Sequence, residues 1–224
     1  MNDEGIYVSA DRWRSLRANP AFLELLRLGR IVNSLSLTNA PFLVSPEDQS
    51  PRARRDRFAA FFFMAALLHE GLRTAEGLGR YFRKTAAYRN GFAKLFSDPE
   101  VIDLRSGDLA KIRNELVFHF DREPLRAGLK KFPYGETVLA TASEFTHLEF
   151  YFDAADAALL AYLCRDGEQT EQEYAERVQR LLDRVVLLFG RFLKASNALI
   201  AAALVHLGCK NKRVKRPPTS SSLW

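Results

Sequence analysis

The chain is poor in the residues that build metal and redox sites: two cysteines, Cys164 and Cys209, and four histidines in 224 residues. The two thiols lie far apart in apolar surroundings with no histidine pair nearby, which excludes a zinc site of the usual spacing. They read as small reduced side chains of a reducing compartment. A glycine-rich phosphate loop is missing as well, because Gly77 and Gly79 follow no strand and precede no lysine. His69-Glu70 begins like a zinc-protease motif, but Arg73 stands where the second histidine belongs. The first residues, Met1-Asn2-Asp3-Glu4-Gly5, carry acids and no apolar run, so no signal peptide is expected. The longest apolar stretch, Val185 to Leu207, is cut by Arg191 and Lys194. What remains is shorter than the roughly 18 residues of a membrane span, and it reads as a buried helix. These absences predict a cytoplasmic protein with no membrane partner, no metal and no cofactor.

What is present is ordinary globular composition, 47% hydrophobic and 27% charged, in a chain long enough to bury a core unaided. The net charge of +6 is unevenly placed. Lys210, Lys212, Arg213, Lys215 and Arg216 supply five of those six charges with no acid among them, which leaves the rest of the chain near neutrality. The division expected is one helical-bundle domain over 1–209 and a basic, disordered tail over 210–224. Such a tail serves as a solubilising end, or as an arm for RNA phosphates through Lys212 and Arg213, with an attraction that weakens in salt.

Helix signals dominate. Asn19-Pro20 is an N-cap followed by proline at the first helical position, and Ser50-Pro51 repeats the device. Phe22, Leu25, Leu26, Leu28, Ile31 and Val32 form an apolar stripe after the first, while 37–50 reads as a loop. After the second, Arg52, Arg54, Arg55 and Arg57 precede the apolar run Ala59 to Leu68, which belongs in the middle of a bundle. Those arginines oppose the helix dipole and need an acid, a phosphate or solvent to offset them. Arg52, Arg54 and Arg55 are candidates for RNA contact. Ser106-Gly107-Asp108 opens a short helix that ends before Pro124. Thr170 and Glu173 form a capping box for the longest helix, which stops at Gly208. Between 137 and 152 the alternation of Leu148, Phe150 and Phe152 with polar neighbours predicts a small β-hairpin. The fold expected is therefore mainly all-α, a multi-helix bundle with that hairpin inserted.

The stretch that carries chemistry is Ile112-Arg113-Asn114-Glu115-Leu116-Val117-Phe118-His119-Phe120-Asp121. On an α-helix, Leu109, Ile112, Leu116 and Phe120 form one apolar stripe, with Arg113 and His119 on its opposite edges. One helix does not easily bring both to a single phosphate. Two copies packed antiparallel along the stripe would, which suggests a two-fold homodimer. Glu115 stands one helical turn before His119 and is placed to hold the ring. A histidine titrating near neutrality suits proton transfer, and an arginine suits charge developing on a phosphate. The bland alternatives are a packing histidine and a snorkelling arginine. A second, weaker candidate is His69-Glu70, with Glu70 paired to Arg73 along its own helix.

The arginine, its polar neighbour Asn114, five intervening residues and His119-Phe120-Asp121 resemble the signature of the HEPN superfamily, in particular its abortive-infection type. The likeness covers about residues 105–125 and, loosely, the helical layout from Pro51 to Asp121. It implies a dimeric helical bundle that cuts RNA without metal, by attack of the 2′-hydroxyl on the adjacent phosphate. His119 would then be the acid/base and Arg113 the phosphate stabiliser, with Asn114, Glu115 and Asp121 supporting them. It also implies a toxin or phage-defence endoribonuclease with RNA as partner, restrained by a cognate antitoxin or regulatory protein. The competing reading is a non-catalytic HEPN-like module that binds RNA, nucleotide or a protein partner.

Overall fold

A computed structural model describes residues 2–43, 47–117, 122–131, 153–166 and 169–215. The fold is mainly all-α, a bundle whose core lies between α2 (Pro20–Thr38), α4 (Pro51–Phe82) and α10 (Glu171–His206), after a short α1 (Ala10–Leu16). Cap chemistry sets the long helices. Asn19 Oδ1 accepts from Phe22 N at 3.1 Å ahead of Pro20, and Ser50 Oγ accepts from Ala53 N at 3.2 Å ahead of Pro51. Glu173 Oε2 accepts from Thr170 N at 2.8 Å, and Thr170 Oγ1 accepts from Glu173 N at 3.3 Å, completing the capping box of α10. Gly208, at φ 82°, ends α10 in the left-handed region that glycine adopts freely.

The α2 stripe is buried at Phe22, Leu25, Leu28, Ile31 and Leu35, but Leu26 points outward and is 49% exposed. The apolar run Ala59–Leu68 of α4 is buried except at Ala59 and Phe63, which are exposed, and Leu67, which is half-buried. A single turn, α3 (Ala40–Leu43), occupies part of the expected loop. Phe92 meets Phe192 edge-on at 5.6 Å, and Gly71 on α4 leaves the space that the Phe192 ring fills. By length and composition alone α10 would cross a membrane. Here its apolar face, including Val185, Leu188, Phe192 and Leu199, is buried in the bundle.

Among the described residues, three π-helical segments interrupt the middle of the chain. α5 (Ala86–Tyr88) runs through π1 (Arg89–Ala93) into α6 (Lys94–Phe96), and α7 (Pro99–Leu104) runs into π2 (Arg105–Leu109) and then π3 (Ile112–Val117). Ser106-Gly107-Asp108 therefore does not open a new helix. Ser106 Oγ donates to Ile102 O at 2.8 Å, and the helix absorbs an extra residue as a wider turn. α8 (Arg122–Lys130) carries Pro124 in its first turn, where a missing N–H costs nothing, and packs on α9 (Asp153–Cys164).

The ends of the described chain form an antiparallel ribbon, β1 (Asn2–Tyr7) with β2 (Lys210–Lys215), in the register Asn2↔Lys215 to Tyr7↔Lys210. The basic segment expected to be disordered from 210 onward is thus a strand up to 215. Gly208 turns the chain back into the ribbon. The hairpin expected at 137–152 and the rest of the tail lie outside the described residues.

Candidate functional site

Arg113 projects from π3 between the buried Ile112 and Leu116, towards α4. Its Nε donates to Glu70 Oε1 at 2.8 Å and its Nη1 to Asn114 Oδ1 at 2.9 Å. Among the described residues no further group engages Nη2, and the side chain keeps 32% of its surface exposed. Glu70 also faces Arg27 of α2 at 3.6 Å, so one carboxylate of α4 serves arginines from two other elements. The Glu70–Arg73 pair expected within α4 is not formed. An exposed pair along one helix contributes a few tenths of a kcal/mol, and a charge-assisted bond at a partly buried contact outcompetes it. Arg105 of π2 pairs with Glu76 in the same way, which locks the segment 105–113 antiparallel to α4.

Asn114 is exposed and Glu115 half-buried. The Tyr162 hydroxyl of α9 donates to Glu115, and burial together with that bond pushes the phenol up to about 12. Lys111 lies over the Tyr162 ring at 4.3 Å. Glu115, expected to hold His119, is therefore engaged from α9. His119 and Asp121 lie outside the described residues.

The described part of the helical stripe is not a free surface on which a second copy could pack. Leu109, Ile112 and Leu116 are 0%, 0% and 5% exposed, buried within one chain. π turns with i→i+5 bonds also do not follow the 100° wheel on which the stripe was drawn.

No family model, curated protein or solved structure matches the chain.

His69 is the site's less legible member. It immediately precedes Glu70, the ring is half-buried, and Nδ1 is buried with no hydrogen-bond partner among the described residues. Burial is the main force holding its pKa below 6.5; Glu70 opposes the shift, and Arg105, Arg113 and Arg73 add to it. The unfolded chain therefore binds a proton that the folded one refuses. The stability this contributes is present above the ordinary histidine pKa and is lost as pH falls through the lower, folded value. Urea unfolding of the wild type should show a loss of stability on acidification below about pH 6.5. In His69→Asn that part of the slope should vanish, and an unchanged slope would assign it to other groups.

The basic candidates on α4 stand apart. Arg52 faces Asp56 at 3.8 Å, Arg55 bonds Asp56 at 3.0 Å, and Arg54 reaches Asp153 of α9 at 3.3 Å. Acidic neighbours thus answer the unfavourable dipole, and Arg54 lies about 24 Å along α4 from Glu70. Arg52, Arg54 and Arg55 are therefore not brought to Arg113. Lys212 and Arg213 lie in β2, in register with Gly5 and Glu4.

Proposed function

We propose that the protein is a metal-independent endoribonuclease of HEPN type, acting in the cytoplasm as a toxin or phage-defence enzyme under a regulatory partner. The observation that carries the reading is the posture of Arg113, with two of its nitrogens held by Glu70 and Asn114 and, among the described residues, no group on its remaining edge. A guanidinium fixed in this way is preorganised for the charge of a phosphate under attack. The reaction needs no group beyond the chain and the RNA. His119 takes the proton of a 2′-hydroxyl, O2′ bonds to the adjacent phosphorus, and the P–O5′ bond breaks. The departing 5′-oxygen takes up the proton that His119 removed from O2′, and a 2′,3′-cyclic phosphate remains. Arg113 donates to the non-bridging oxygens as their charge rises, and Asn114 keeps its plane aligned. Where a homodimer completes the site, the partner copy meets that remaining edge of Arg113.

The test is cleavage of a mixed RNA pool in EDTA by wild type and His119→Ala, with circular dichroism of both and analysis of the product ends. Cyclic-phosphate ends from wild type, lost by about two orders of magnitude or more in a folded His119→Ala, support the enzyme. RNA left intact by a folded wild type sinks it and leaves the binding module.

A further inference from the structure

Two cavities lie against π2. One, of about 460 Å³, is walled by Arg177, Arg180 and Arg184 of α10, with Asp103 among its other lining residues. The other, of about 400 Å³, is lined by Lys111, Asn114 and Glu115 and so opens beside the Asn114 that holds Arg113. Gly107 and Asp108 belong to both, forming a saddle between them. Each volume falls in the range of about 300–1,000 Å³ that takes a small-molecule-sized group, which suits one nucleotide and not a duplex.

The three arginines recur at steps of three and four and share one face of α10, rising about 4.5 and 6 Å. Among the described residues Arg180 has no acidic partner. Asp166 holds Arg177, and Asp103 holds Arg184 at 2.6 Å, but these two aspartates are 66% and 74% exposed. Pairs of that kind contribute little, and a phosphate offers the same guanidinium a two-point bond. Asp108, at the saddle, faces Arg184 at 3.9 Å, and burial raises its pKa against the pull of that arginine.

We propose that the two cavities form one groove for single-stranded RNA, with a backbone phosphate on Arg180 flanked by Arg177 and Arg184 and the strand crossing Gly107 towards Arg113. The position of the cut phosphate rests on the ribonuclease reading above; the binding path does not.

The test is fluorescence anisotropy of a labelled, non-cleavable 2′-O-methyl RNA of about twelve nucleotides, titrated at several salt concentrations. Arg180→Glu should weaken binding about tenfold or more and reduce the salt slope by about one. Gly107→Trp should obstruct the saddle and weaken binding with little change of slope. A Cβ at Gly107 meets nothing within 4 Å and Arg180 is exposed, so neither change disturbs the core. Arg14→Glu, the same charge change on exposed α1, should shift binding by less than about twofold. Binding by Arg180→Glu and Gly107→Trp equal to that of Arg14→Glu overturns the groove, as does a wild type that does not bind RNA. A wild type that binds with the expected variant pattern but never cuts supports the groove and overturns only the ribonuclease.

Discussion

Arg113→Ala is expected to slow RNA cleavage by about two to three orders of magnitude, the usual cost of removing one preorganised donor from a developing oxyanion. The bundle should stay folded, but not unaltered. Glu70 is only 20% exposed, and without Arg113 it keeps Arg27 at 3.6 Å as its charged neighbour. Leaving a partly buried carboxylate short of a hydrogen bond costs about 1–3 kcal/mol. A loss of activity in the single variant would therefore mix chemistry with stability. The double variant Arg113→Ala/Glu70→Gln separates them, because a neutral amide no longer needs the arginine. Its unfolding midpoint should recover towards wild type while cleavage stays lost. Arg113→Lys keeps the charge but not the planar fork, so it should retain the Glu70 contact and still cut more slowly than wild type. If the double variant cuts as fast as wild type, Arg113 is a structural ion pair and the reacting phosphate lies elsewhere.

How much of this was legible follows from which interactions are local. Asn19-Pro20, Ser50-Pro51 and Thr170 with Glu173 announce their helices because a cap is satisfied within four residues, and all three cap in the structure. The π segments carry no such mark. An extra residue in a helical turn changes the backbone bonding without requiring a particular side chain, so the wheel drawn through Leu109, Ile112 and Leu116 gave a stripe but not its partner. That partner is α4, which a dimer was expected to supply. Arg113 and Asn114 are adjacent, and their bond was within reach of inspection. Glu70 stands 43 positions away, and the helical neighbour Arg73 was the nearer choice. The same holds for Arg54, whose acid Asp153 lies on α9, and for the ribbon between the ends of the described chain. A cluster of like charges in sequence thus says little about a patch in space until the helices that answer it are placed.

The largest effect on stability is expected at Gly128, where α8 meets α9. A Cβ there would lie 1.9 Å from the Ala158 carbonyl oxygen and 2.7 Å from its carbon, far inside the roughly 3.5 Å of ordinary contact. Both obstacles are backbone, so no side chain can swing aside and the two helices have to part. Gly128→Ala should therefore destabilise by about 3 kcal/mol, the upper end of the overpacking range, even though alanine is the better helix former by about 1 kcal/mol. Gly107→Ala provides the contrast: its Cβ meets nothing within 4 Å, so propensity alone acts and stability should hold or rise. The displacement should also reach the site. α9 carries Tyr162, whose hydroxyl bonds Glu115 and whose carbonyl accepts from Lys131 Nζ at 3.2 Å. Parting α8 from α9 loosens that brace, so faster amide exchange in α8 should accompany a loss of cleavage in Gly128→Ala. Urea unfolding of the two glycine variants decides the matter: equal stabilisation of both would mean that α8 and α9 do not pack at Gly128.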